Sequence, residues 1–120
     1  MKTSLLFKKI IMVIYNVTCN MASHLEEEWL EWIREHIAHV LGTGLFKDAK
    51  LTRVLVEEQD GASTFSIQYK AISRETLETY YSNHAEALRK AGLDKWGNNV
   101  LSFRTELDVL DEYTVHTNLN

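Results

Sequence analysis

Residues 50–72 read KLTRVLVEEQDGASTFSIQYKAI. Two runs rich in β-branched and aromatic residues, 50–58 and 64–72, flank an Asp60-Gly61 pair. Such a pair between alternating runs is a hairpin signal, because both residues tolerate the backbone angles of a tight turn. The hairpin has a helical pattern on either side. Upstream, Ser23 and Glu26 stand at the spacing of a capping box. Leu25, Trp29, Trp32, Ile33, His36, Ile37 and Val40 then fall on one stripe at 100° per residue, and Gly42 and Gly44 close the segment. Downstream, Ser73 caps a second helix over 74–91, with the stripe Leu77, Tyr81, His84, Ala85 and Leu88. Gly92 and Gly97 bracket an irregular link. A run at 10–19 (IIMVIYNVTC), apolar on both alternating faces at its start as in a central strand, and an alternating run at 99–109 (NVLSFRTELDV) supply the first and last strands. The order β-α-β-β-α-β is the ferredoxin-like arrangement of the α+β class. It predicts a four-stranded antiparallel sheet with two helices on one face.

The 120 residues suit one domain, placed at 12–110, with an extension over 1–11 and a flexible polar tail over 111–120. Hydrophobic residues make up 45% and charged residues 25%, which fits a folded chain. No apolar run approaches the roughly 20 residues that span a bilayer, so no membrane partner is expected. The net charge of −4 hides an uneven distribution. Lys2, Lys8 and Lys9 give residues 1–11 a charge of +3, leaving −7 on the rest. That acidic body argues against nucleic acid as a partner, which needs a basic face. The basic opening is expected to be a short extension ahead of Met12 rather than a secretory signal, since Lys8 and Lys9 split its apolar stretch and Asn16, Thr18 and Asn20 follow in place of a cleavage site. Met12 is a candidate start. The single cysteine, Cys19, forms no internal disulfide and no cysteine zinc cluster, which suits a reducing, cytoplasmic location.

Strand parity decides which side chains meet the helices. Phe65, Ile67, Tyr69 and Ala71 in the third strand, and Leu101, Phe103, Leu107 and Val109 in the fourth, are expected to do so. The other parities would then form the uncovered face. That face would hold Ser66, Gln68 and Lys70, then Ser102, Arg104 and Glu106, with Asn16 and Thr18 beside Met12 and Ile14, and Arg53 beside Leu51 and Leu55. A half-apolar open face marks an interface. The simplest cover is a second copy packed sheet to sheet about a two-fold axis. Polar groups enclosed between two sheets either line a small-molecule pocket or satisfy one another.

The candidate ligand-binding residues are therefore Asn16, Trp32, His36, Arg53, Gln68 and Arg104. His36 is the one weak catalytic candidate, as a general base, set against a plain core or interface histidine. His84 occupies a similar place without a sign of a cleft. Trp29 and Trp32 could stack a planar ligand or simply fill the core. Arg53 and Arg104 would bind an anion or pair with Glu57 or Glu106. His36, His39 and Glu35 have helical spacing, but His39 points toward the polar flank and no HExxH motif exists. No metal and no cofactor are expected. The acidic run Glu26–Glu28 suits a helix N-terminus, and Cys19 reads as a packed thiol.

The stretches YNVT (15–18), EEWLEW (27–32), TGLF (43–46), RVLVEE (53–58), SIQY (66–69), LRKAG (88–92) and FRTEL (103–107) resemble a small bacterial family of unknown function. Its members resemble the dimeric α+β barrel superfamily. The resemblance covers residues 12–110 and implies a ferredoxin-like protomer and a barrel-forming homodimer. It carries no established activity and transfers no catalytic residue. The family pattern after His36 runs Ile-Pro and then an acid, whereas this chain has Ile37, Ala38 and His39, which predicts a straighter helix. Two functions are open at this level. One is an uncharacterised homodimer binding a small molecule in the barrel between two sheets. The other, suggested by some barrel relatives, is a small cofactor-poor enzyme of monooxygenase or isomerase type with His36 as base.

Overall fold

The computed structural model describes residues 11–55 and 61–115. The expected extension, apart from Ile11, lies outside these residues, as do Glu57, Asp60 and positions 116–120. The elements are β1 (Val13–Ala22), α1 (Glu26–Leu41), β2 (Asp48–Arg53), β3 (Ala62–Ala71), α2 (Arg74–Tyr80), α3 (Glu86–Trp96) and β4 (Val100–Asp108). A π-helical segment, Tyr81–Ala85, joins α2 to α3 without a break. The sheet order is β2-β3-β1-β4 and every pairing is antiparallel. The fold is thus α+β and ferredoxin-like, with β1 and β3 central. Among the described residues no helix is long and apolar enough to cross a membrane.

The core forms where apolar strand parity meets the helical stripes. Along β3, Ser63, Phe65, Ile67, Tyr69 and Ala71 are buried, while the residues between them are half-exposed. Val13, Tyr15, Cys19 and Met21 continue that layer on β1. Trp29, Ile33 and Val40 of α1 and Leu77, Tyr80 and Ala85 of the second helical stretch close it from above. Burial of this apolar surface is what holds helices to sheet.

Three local expectations are corrected. Ser23 does not cap α1. It opens a short 3₁₀ turn, and α1 begins at Glu26 with no side-chain cap. Glu26 turns instead to Arg53 and Ser63. Ser73 does cap α2, accepting from the Thr76 N–H at 3.1 Å. The second helical stretch does not end at Gly92 but runs to Trp96, and Gly97 terminates it with φ +53°. The π segment inserts into the helical period, so the buried tyrosine is Tyr80, with Tyr81 only half-buried.

The largest correction concerns β4. Arg104 lies opposite Val17, Ser102 opposite Cys19, and Glu106 opposite Tyr15. Directly paired residues share a face, so this polar parity is the one that faces the helices. Leu101, Phe103 and Leu107, expected in the core, stand on the open face and are 55%, 63% and 41% exposed. Arg53 is corrected too. It pairs with Phe65 in the ladder, on the helix side, not on the open face.

Candidate functional site

The reversal of β4 creates a cavity. Where the helices would meet Leu and Phe, they meet the small Ser102 and the long, polar Arg104, and the space between is not filled. A cavity of about 320 Å³ lies there, between β1, β4 and the two helical stretches. Its floor is Tyr15, Val17 and Cys19 of β1. Trp32 and His36 of α1 stack at 4.6 Å between ring centroids and form one wall. Trp96 of α3 meets Trp32 edge-on at 6.1 Å. Gly92 packs close to the same ring: a Cβ there would sit 3.3 Å from Trp32, which would have to give by a few tenths of an ångström.

Charge enters from two elements. Arg89 of α3 and Arg104 of β4 each donate to the Tyr15 hydroxyl, both at 3.0 Å. Arg89 also lies over the Tyr81 ring, 5.7 Å from its centroid. Among the described residues, neither arginine has a carboxylate within ion-pair distance. Glu106 is taken by Arg74 at 2.7 Å and by the Tyr81 hydroxyl. These bonds hold its carboxyl below the usual range, the Tyr81 bond first and the Arg74 bond second. Tyr81 is pushed up by burial and by that same carboxylate.

Three further groups complete the lining. Burial lowers the His36 pKa, and the neighbouring His39 and Arg104 charges lower it further, so the imidazole is neutral at pH 7. Burial pushes the Cys19 thiol up, against the lowering effects of Ser102, 3.5 Å away, and of Arg104. That makes it a packed thiol rather than a nucleophile. The Trp96 Nε1–H is buried and has no acceptor among the described residues. Sequence reasoning missed Tyr15, Arg89 and Trp96, because no local pattern shows that three distant segments converge on one hydroxyl.

The six candidate residues divide. Trp32, His36 and Arg104 come together in the cavity. Asn16 and Gln68 lie opposite each other on the open face. There Asn16 accepts from Ser66 at 2.6 Å and donates to Thr18 at 3.3 Å, so it is satisfied by its neighbours. Arg53 sits at the far end of the sheet in a two-bond pair with Glu26, at 2.8 and 2.9 Å. That pair and a Ser63 bond lower Glu26 to about 2. His84 lies against Tyr80 outside the cavity lining. Among the described residues, no three His, Cys, Asp or Glu side chains gather to share a metal.

The chain belongs to the family described as a domain of unknown function, DUF4286, whose model matches residues 12–110. No curated protein matches it. Among solved structures it is similar to a dimeric ferredoxin-like protein from an uncultured marine organism. The identity is 9%, the TM-score is 0.63, and the match covers 88% of this chain and 100% of that one. It is also similar to a de novo designed protein, with 10% identity, a TM-score of 0.52, and coverage of 80% and 96%. Both likenesses concern the fold alone.

Proposed function

We propose that this protein is a homodimer that binds a small molecule in each protomer, in the cavity between sheet and helices. The observation that carries the ligand reading is the cavity itself. It is mostly apolar and aromatic, with a few converging polar groups, as ligand sites are. This moves the expected pocket from between two sheets to the opposite side of each sheet. The assembly reading rests on the exposed row Leu101, Phe103 and Leu107. Burying such a row against its symmetry mate removes apolar area from water. The similar marine protein is described as dimeric. Packing through the open face leaves both cavities outside the interface. A reducing, cytoplasmic setting suits the lone buried thiol of Cys19.

The assembly is tested by size exclusion with light scattering at micromolar concentration. A mass of twice 13.9 kDa is expected, and the protomer mass for Phe103→Lys. A wild-type protomer mass would sink this half of the reading. The ligand half is tested with a panel of neutral and anionic aromatic fragments in thermal shift. Fragments should raise the Tm of the wild type but not that of Leu88→Trp, whose indole fills the cavity. Equal shifts in both, or none in either, would refute it. An enzyme of isomerase or monooxygenase type has one supporting observation, the neutral His36 in the cavity wall. His36 has no hydrogen-bonded acid or carbonyl among the described residues to orient it as a base.

A further inference from the structure

We infer that the cavity takes an anionic aromatic small molecule, a planar carboxylate held by Arg104, Arg89 and Tyr15 against the Trp32 and Trp96 rings. The inference rests on the ligand-binding reading above and adds the chemical class. Two guanidinium groups donate to one phenolic oxygen, which places like charges beside each other. Like charges at short range repel. An ion pair to a carboxylate would relieve it, yet among the described residues neither arginine has one. Elsewhere in the molecule, Arg53 and Arg74 are both matched to glutamates. Among the described residues the cavity lining contains no Asp or Glu, although the chain carries a net charge of −4.

The remaining donors are consistent with an acceptor-only group. Arg104 uses only its Nε toward Tyr15, which leaves both terminal nitrogens without a partner among the described residues. Those nitrogens form the edge that grips a carboxylate with two parallel bonds. The Tyr15 hydroxyl accepts twice, and no described residue accepts its own proton. Trp96 is 7% exposed, and its unpartnered N–H is a second, independent donor in the same lining. A buried donor left unpaired is costly, so an acceptor is expected at that point. The stacked Trp32 and His36 rings and the edge-on Trp96 favour a flat ring over an aliphatic chain.

The test uses isothermal titration of the whole chain with 2-naphthoate and with its neutral isostere, 2-naphthamide. Naphthoate should bind saturably, and the amide about tenfold or more weaker, because it cannot offer a charged acceptor to two arginines. Arg104→Gln should weaken naphthoate by about tenfold or more and the amide by a smaller factor. Trp96→Phe, which keeps the ring and removes the N–H, should weaken naphthoate by a smaller factor. Circular dichroism and Tm confirm folding of each variant, and Arg89→Gln on the helix surface serves if Arg104→Gln unfolds. Equal binding of acid and amide, unaffected by Arg104→Gln, would overturn the anion inference and leave the cavity reading standing. Binding of neither would overturn both.

Discussion

Phe65 and Phe103 occupy equivalent places in two alternating strands and finish on opposite sides of the same sheet. Phe65 is 2% exposed beneath Trp29, and Phe103 is 63% exposed on the open face. β3 sits inside the sheet, and its apolar parity has nowhere to go but the core. β4 is an edge strand whose polar parity finds partners on the helix side at every step: Ser102 with Cys19, Arg104 with Tyr15, and Glu106 with Tyr81 and Arg74. Turning β4 over would place Leu and Phe under the helices but take from Tyr15 one of its two donors and from the Tyr81 hydroxyl its acceptor. The comparison teaches that a cavity can arise from a strand whose polar face is better partnered than its apolar one.

The strongest way to break this comparison is to truncate both phenylalanines. Phe65→Ala should cost about 3–5 kcal/mol, through lost transfer energy and a cavity beneath Trp29. Phe103→Ala should cost an isolated protomer less than about 1 kcal/mol. Urea denaturation at several protein concentrations separates the two, because any contribution of Phe103 made through assembly must vary with concentration. Equal, concentration-independent losses would show that the face assignment is wrong.

A second contrast sets the two serine signals against each other. Ser73→Ala should cost about 1 kcal/mol, since it removes a cap that accepts the Thr76 N–H. Ser23→Ala should cost less, because the Ser23 hydroxyl caps no helix and bonds only that of Ser63, at 3.1 Å, among the described residues. Matching losses in chemical denaturation would mean that Ser23 supports α1 after all.

Smaller effects come from pH. His36 has a lowered pKa, so the unfolded chain binds a proton before the folded one does. Stability is full above the ordinary histidine value near 6.5 and declines below it. His36→Gln should flatten that part of the stability profile, and an unchanged profile would contradict the burial of a neutral ring. Glu26 behaves likewise at lower pH. Its pKa of about 2 means that the Arg53 pair contributes above about 4.5 and is lost as pH falls toward 2. The pair is exposed and worth little, so Glu26→Gln should shift the acid limb only slightly.

Much of this fold was legible in the chain. The hairpin around residues 50–72, the Ser73 cap and the helical stripes arise from contacts within a few residues, where side-chain period and turn chemistry act directly. The site was legible only in part. Trp32 and His36 announced themselves as aromatic members of an apolar stripe, and Arg104 as a charge within a strand. Asn16, Gln68 and Arg53 were grouped with them by a parity that the register then divided. The π segment at Tyr81–Ala85 was not legible, because one inserted residue shifts the phase of the stripe without changing its composition.

The sequence by itself determined the class, the element order and the presence of two faces on every strand, because these follow from local periodicity. Tertiary structure alone decided which face of β4 looks inward, and hence that Arg89, Arg104 and Tyr15 meet. The physical reason is that parity is a two-fold choice, with no local term to break the tie. It is settled by partners distant in the chain, here a tyrosine on β1 and another beside α2.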